Sequence, residues 1–198
     1  MWRCIAVNVV DAIEKRRAHR SLEPVEITDE TVRDLATHAD LAPSCNNNQP
    51  WRFIFVRDPA QLAKIYLGLS KSNKWIQLAS MIVAVFSRVE DDCTDKGRIY
   101  HQFDTGMAVA FLILRATELG LVAHPVSGYD ETIVKQALNV PDGYQLITLV
   151  NVGKHSDKIH PFLTEKQALR EVERPARFPF ERYAFFDRYT FPEPPQPV

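Results

Sequence analysis

Apolar positions along this chain recur at helical spacing in some stretches and alternate in others, with Pro, Gly and Asn marking the breaks. Residues 8–18 read as a helix, apolar at Val9, Val10 and Ile13 and charged at Asp11, Glu14 and Lys15. Thr28 is the N-cap expected for a second helix, because Asp29 and Glu30 follow it at the electropositive end. Val32, Leu35, Ala36 and Ala39 give that helix its apolar face, and it ends before Pro43. Residues 51–57 alternate as a strand. Asp58-Pro59 then opens another helix with Pro in its first turn. The β-branched run Met81–Ser87 reads as a strand covered on both faces.

Residues 99–119 predict the longest helix, apolar on most sides through Met107, Val109, Phe111, Leu112, Leu114 and Leu119 and closed by Gly120. Such a helix is buried in a core or against a partner. A short helix over 131–138, stopped by Pro141-Asp142-Gly143, and a strand over 144–152 follow. Beyond about residue 156 prolines and aromatics crowd together, which predicts an extended arm lying on a neighbouring surface. The pattern as a whole is α+β.

Composition narrows the function classes. A chain of 198 residues suffices for one well-cored domain and is short for two. Its net charge of −1 provides no global field for nucleic acid or a membrane surface. The longest apolar runs, Met81–Phe86 and Met107–Leu114, fall far short of the ~20 residues of a membrane span. The N-terminal patch lacks the form of a signal peptide. Cys4, Cys45 and Cys93 are odd in number and have no paired spacing, so no disulfide framework is expected and a reducing cytoplasm is the expected setting. Cys45, inside an amide-rich segment, is a candidate nucleophile, but no cationic neighbour can be assigned to it from sequence. The six histidines form no metal-ligand pattern, and no metal is expected.

Three constellations carry chemistry. In Lys15–Ser21 five of seven residues are basic, and Arg forks match phosphate oxygens; a solvated basic helix end is the plain alternative. Residues 42–53, Ala-Pro-Ser-Cys-Asn-Asn-Asn-Gln-Pro-Trp-Arg-Phe, crowd four amides beside Trp51, which suits the edge of a flat heterocycle or an ordinary polar turn. Leu119–Asp130 holds His124-Pro125-Val126-Ser127-Gly128, a helix-to-strand connection where Gly128 allows close approach of a ligand. None of the seven glycines builds a dinucleotide or phosphate loop, so a bound nucleotide would rely on side-chain cations.

In this order the constellations resemble the nitroreductase family of FMN-dependent oxidoreductases, from about residue 9 to about 182. The resemblance rests on Arg16-Arg17-Ala18-His19-Arg20, residues 42–53, Asp104-Thr105-Gly106 with Ala116 to Leu121, Pro125 to Tyr129, Gly153, and Arg177-Phe178-Pro179-Phe180-Glu181. It implies a sandwich whose central, mainly antiparallel sheet is flanked by helices, in a homodimer with FMN at the interface. It also implies a domain-swapped C-terminal arm, over about 156–198. Arg16, Arg17 and Arg20 are then implied to hold the FMN phosphate or ribityl chain, with Arg177 at the phosphate. Pro43, Ser44, Cys45 and Asn47 are implied to reach the flavin from the other subunit. Asn73 would meet the pyrimidine edge, and Pro125, Val126, Ser127 and Gly128 would line the ring. Ala18 stands where the family has Ser, and Cys45-Asn46 replaces a smaller pair.

By the same resemblance, NADH or NADPH passes hydride to the flavin, and a nitroaromatic, quinone or related acceptor then takes the electrons in ping-pong fashion. No acid–base pair is required, and no catalytic residue or metal is assigned. A flavin carrier or regulator without turnover is the second reading, and a basic-patch interaction module is the third.

Overall fold

A computed structural model describes residues 8–190. Its elements, in chain order, are α1 (Val9–Lys15), β1 (Leu22–Glu23), α2 (Asp29–Asp40), β2 (Arg52–Val56), α3 (Pro59–Tyr66), β3 (Met81–Ser87), β4 (Thr94–Asp95), β5 (Arg98–Ile99), α4 (His101–Glu118), β6 (Val122–Val126), α5 (Glu131–Leu138), β7 (Gln145–His155) and α6 (Glu165–Val172). Cys4 and the prolines from Pro192 onward lie outside the described residues.

The expected caps form. Thr28 Oγ1 accepts from the Thr31 N–H, and the Asp58 carboxylate accepts from the Gln61 N–H, each satisfying a helix-start donor. α1 stops at Lys15, three residues earlier than the 8–18 pattern predicts, because Arg16 leaves helical geometry at φ −54°, ψ 121°. Residues 16–21 therefore run extended into β1. α5 ends on Asn139, which adopts the left-handed conformation at φ 53°, ahead of the Pro141 turn expected to stop it.

The sheet is antiparallel throughout. β2 pairs β3, β3 pairs β7, and the far side of β7 pairs β6 and then β1. Strand β3 explains the sandwich. Its alternate residues Met81, Val83 and Val85 pack with Leu35 and Ala39 of α2 and Val109, Leu112 and Ala116 of α4. Ile82, Ala84 and Phe86 face the opposite side, with Leu62 and Ile65 of α3, Val134 of α5, and Trp75 and Ile76. A strand covered on both faces reads as a continuous apolar run, as this one does.

Helix α4 is less uniformly buried than its composition predicts. Asp104, Thr105, Ala108, Val109, Leu112 and Ala116 face the core, whereas Phe103 is 64% exposed. Gly106, Ala110 and Phe111 also face outward.

Two elements depart from the sequence reading. Residues 122–126 form β6, a paired strand, where a connection was expected. Residues 165–172 form α6 inside the segment expected to be extended. Its start is fixed by a capping box in which Thr164 accepts from the Gln167 N–H and the Gln167 side chain accepts from the Thr164 N–H. Among the described residues beyond Val172 there is one 3-10 turn, Phe180–Arg182, and Phe178, Phe180, Tyr183, Phe186 and Tyr189 stand exposed.

Candidate functional site

The extended segment 16–21 is laid against α6 by one carboxylate. Glu171, with its side chain 4% exposed, accepts from the Arg20 N–H at 2.9 Å and the Ser21 N–H at 3.0 Å, with His19 Nδ1 3.5 Å away. Burial alone would raise its pKa. His19 and the N–H groups of Ser21 and Arg20 outweigh that and hold it at about 2. Arg17 donates to the carbonyls of Arg170 (2.8 Å) and Glu171 (3.3 Å), so its positive charge sits at the C-terminal end of α6. Arg174 returns the tie by donating to the Arg16 carbonyl at 3.0 Å.

These contacts gather guanidinium groups. Burial and the charges of Arg174, Arg177 and Arg17 all push the Arg16 pKa down. Among the described residues no salt bridge reaches Arg16 or Arg177. Forked donors of one sign, gathered where Arg16 and Arg177 have no salt bridge, have the charge and geometry that attract an anion such as phosphate.

Arg20 leads from this group to a second one. Its guanidinium lies 5.6 Å over the Trp75 ring. Trp75 Nε1 donates to Asn73 Oδ1 at 3.3 Å, and Asn73 Nδ2 donates to the Gly128 carbonyl at 3.0 Å. The Ser70 N–H donates to the same carbonyl at 3.1 Å. The Thr148 hydroxyl holds the Val126 carbonyl at 2.9 Å. His124 lies tilted against Trp75 at 4.7 Å between ring centres, with Nδ1 3.0 Å from the His19 carbonyl. Burial, partly opposed by that hydrogen bond and aided by Arg20, lowers the His124 pKa to about 4, so the ring is neutral at pH 7.

Gly128 is required by contact. A Cβ there would lie 2.5 Å from Asn73 Nδ2 and 2.8 Å from Ser70 Oγ. Gly128→Ala is expected to cost about 1–3 kcal/mol of stability by overpacking. Combining it with Asn73→Ala should recover part of that loss in thermal unfolding. Additive losses in the double variant would show that the clash is not the cause.

The amide segment stands apart. Ala42 and Trp51 pack on Ala108 of α4, and Trp51 Nε1 donates to Asp40 at 3.1 Å. Ser44 Oγ accepts from the Gln49 N–H at 3.0 Å, and the Cys45 N–H donates to Asp104 at 2.6 Å. Burial raises the Asp104 pKa, the Cys45 N–H opposes this, and nearby Asp92 adds to the rise. Asn46, Asn47 and Gln49 all take left-handed φ, near +50 to +59°, which Asn tolerates better than other side chains. Cys45 is bonded to Cys93, with the two Cα atoms 5.9 Å apart. This corrects the expectation of unpaired cysteines. It also removes Cys45 as a free nucleophile in this state.

The sequence-derived residues thus fall into two assemblies. Arg16, Arg17, Arg20 and Arg177 form one group with Asn73 and with the loop Pro125–Gly128. Pro43, Ser44, Cys45 and Asn47 belong to the other, in the turn between α2 and β2 that Asp104 of α4 holds. Ala18 lies beside the arginines but brings no polar group. Glu171, Arg174, Trp75 and His124 were missed. His124 was visible only as an unassigned loop residue, and no local motif marked Glu171. A concavity of about 620 Å³ between β2 and α5, lined by residues such as Val56, Arg57, Gln61 and Asn139, contains none of the candidate residues.

The family model for the Nitroreductase family matches residues 13–74 and 66–154. This chain belongs to the nitroreductase family. Among its relatives, an iodotyrosine deiodinase of Haliscomenobacter hydrossis is 27% identical over 71% of this chain and 76% of its own length. A 5,6-dimethylbenzimidazole synthase of Rhodospirillum rubrum is 30% identical over 70% and 77%. A solved oxidoreductase containing FMN superposes at a TM-score of 0.78, with 28% identity over 90% of this chain and 91% of its own. A putative nitroreductase of Exiguobacterium sibiricum in complex with FMN shares the fold at a TM-score of 0.73 and 21% identity, covering 92% and 98%. The nitroreductase-like fold places an antiparallel sheet between helices, as found here. Among the described residues no helix is long and apolar enough to cross a membrane.

Proposed function

We propose that this chain is an FMN-dependent oxidoreductase that takes electrons from NADH or NADPH and passes them to a nitroaromatic, quinone or related conjugated acceptor. The observation that carries the reading is the unbalanced guanidinium group around Arg16. A half-buried cation destabilised by its own neighbours calls for an anion, and the FMN phosphate has the matching charge and geometry. The Gly128 loop, held through its carbonyl by the Asn73 side chain and the Ser70 N–H, would present its backbone to the edge of a planar ring. When bound, FMN would supply the two-electron chemistry.

The protein's residues bind and orient. Arg16, Arg17, Arg20 and Arg177 would hold the phosphate and ribityl chain. Arg17 is already committed to α6 carbonyls, so it contributes charge more than a free fork. Asn73 and residues 125–128 would face the ring, and neutral His124 would support Trp75 beneath Arg20 without adding charge.

Within the same proposal the protein is one domain acting as a homodimer. Ser44, Cys45 and Asn47 would approach the flavin held by the other subunit's arginines. Val9 and Val10 of α1, 70% and 61% exposed, and Phe103 of α4 give that dimer an apolar surface to bury. The aromatic residues after Glu173 give the C-terminal arm a surface with which to embrace the partner.

The purified protein is expected to be yellow, with the absorbance bands of flavin, and to bleach when NADH or NADPH is added without oxygen. Colourless protein that cannot be reconstituted with FMN would refute the reading. Bound flavin that neither nicotinamide reduces would favour a flavin carrier instead.

A further inference from the structure

Asn46 and Asn48 have no part in the flavin reading, yet both turn toward the same atom. Asn46 Nδ2 lies 3.4 Å and Asn48 Nδ2 3.5 Å from Cys93 Sγ. Among the described residues, Cys45 Sγ receives no such donor. The left-handed φ of Asn46 brings its amide to the sulfur. Asn48 is oriented by Asp92, whose Oδ1 accepts from Asn48 Nδ2 at 3.3 Å and from the Cys93 N–H at 2.8 Å. A carboxylate oxygen of Asp92 is within 4.8 Å of both sulfurs, and the Asp92 side chain also pairs with the carboxyl of Asp104, whose pKa it helps to raise. Both cysteines are partly exposed.

We propose that Cys45–Cys93 is an exchange-competent disulfide, a second redox site that accepts electrons from thiols, in which Cys93 is the leaving sulfur and the amides of Asn46 and Asn48 stabilise its thiolate. An incoming thiolate attacks Cys45 Sγ and forms a mixed disulfide there. The Cys45–Cys93 bond breaks, and Cys93 takes the electron pair. A second thiol then attacks the incoming sulfur and releases Cys45. Two thiols become one disulfide, and the protein pair gains two electrons and two protons. Polarity follows from the donors, because the sulfur whose thiolate is better stabilised leaves faster.

The amide pair in 46–48 thereby acquires a role different from that of Asn47. The site also ties the turn at 45–47 to the segment leading into β4. It goes beyond the flavin reading, and its test needs no flavin signal.

The test uses the full chain in a Cys4→Ser background, as purified and oxidised. Glutathione is added in limiting amount, the reaction is quenched with acid, and adducts are located by peptide mass. Glutathione is expected on Cys45 in about tenfold excess over Cys93, since one charged hydrogen bond is worth about that factor. Reduction by dithiothreitol should slow at least about tenfold in Asn46→Gly combined with Asn48→Ala, which remove both donors without adding charge while Gly keeps the left-handed turn accessible. Four results would each overturn the proposal: free thiols in the oxidised protein, adducts equal or favouring Cys93, an unchanged rate in the variant, or reduction only after denaturation. The adduct ratio is read on the unaltered asparagines, so a poorly folding variant does not remove the test.

Discussion

Replacing Arg16 and Arg20 together by alanine is expected to raise the Kd for FMN by about two to four orders of magnitude, the loss of two charge-assisted contacts at about 1.5–3 kcal/mol each. The two arginines contribute differently. Arg16 sits among Arg17, Arg174 and Arg177, and its charge is disfavoured until an anion arrives. Removing it alone should therefore leave the flavin-free protein as stable as before, or more so, while weakening FMN binding. The backbone frame survives, because Arg174 holds the carbonyl of residue 16 and not its side chain. Arg20 also covers Trp75, so its loss disturbs packing at the ring side as well as charge. Titration with FMN and with riboflavin separates the two. Arg16→Ala should spare riboflavin, which lacks the phosphate, and Arg20→Ala should weaken both. Equal effects of Arg16→Ala on the two ligands, or none on FMN, would remove the phosphate assignment.

The frame of the molecule was legible wherever one local cause sufficed. Thr28 and Asp58 announce helix starts because their side chains bond within three residues. The continuous apolar run of β3 states that both its faces are covered. What the sequence hid depends on distant partners. β6 contains Pro125 and only five residues, so its strand character comes from pairing with β7. Helix α6 carries a legible Thr164–Gln167 cap that the surrounding prolines and aromatics obscured. The disulfide joins cysteines 48 residues apart in a chain with an odd number of them, and no spacing rule predicts that pair. In the candidate site, the arginines and the Gly128 loop were readable as residue types. Their union through Trp75 and Asn73 was not, nor was the use of Glu171 to pin residues 20 and 21.

Acid is expected to unfold this protein in two separable stages, and Glu171→Ala should be the most destabilising change at the site. His124 titrates first. Its pKa is about 4 in the folded protein against an ordinary 6.5, so below pH 6.5 the unfolded chain binds a proton that the native ring refuses. Stability present above pH 6.5 is lost as pH falls through 4, a total of about 3 kcal/mol. Glu171 follows, with a folded pKa of about 2 against 4.5. Its contribution is full above pH 4.5 and disappears as pH falls through 2, at about 2–3 kcal/mol. Urea unfolding followed by tryptophan fluorescence, repeated from pH 8 to pH 2, should trace both. At pH 7, Glu171→Ala should cost about 2–4 kcal/mol, because the Arg20 and Ser21 N–H groups lose their acceptor where Ser21 is almost wholly buried. It should also abolish the lower stage and keep the upper one, which shifts to somewhat lower pH because the Glu171 charge raises the His124 pKa. A variant that loses stability at pH 7 but keeps the full lower stage would mean that another carboxylate, not Glu171, holds segment 16–21 against α6.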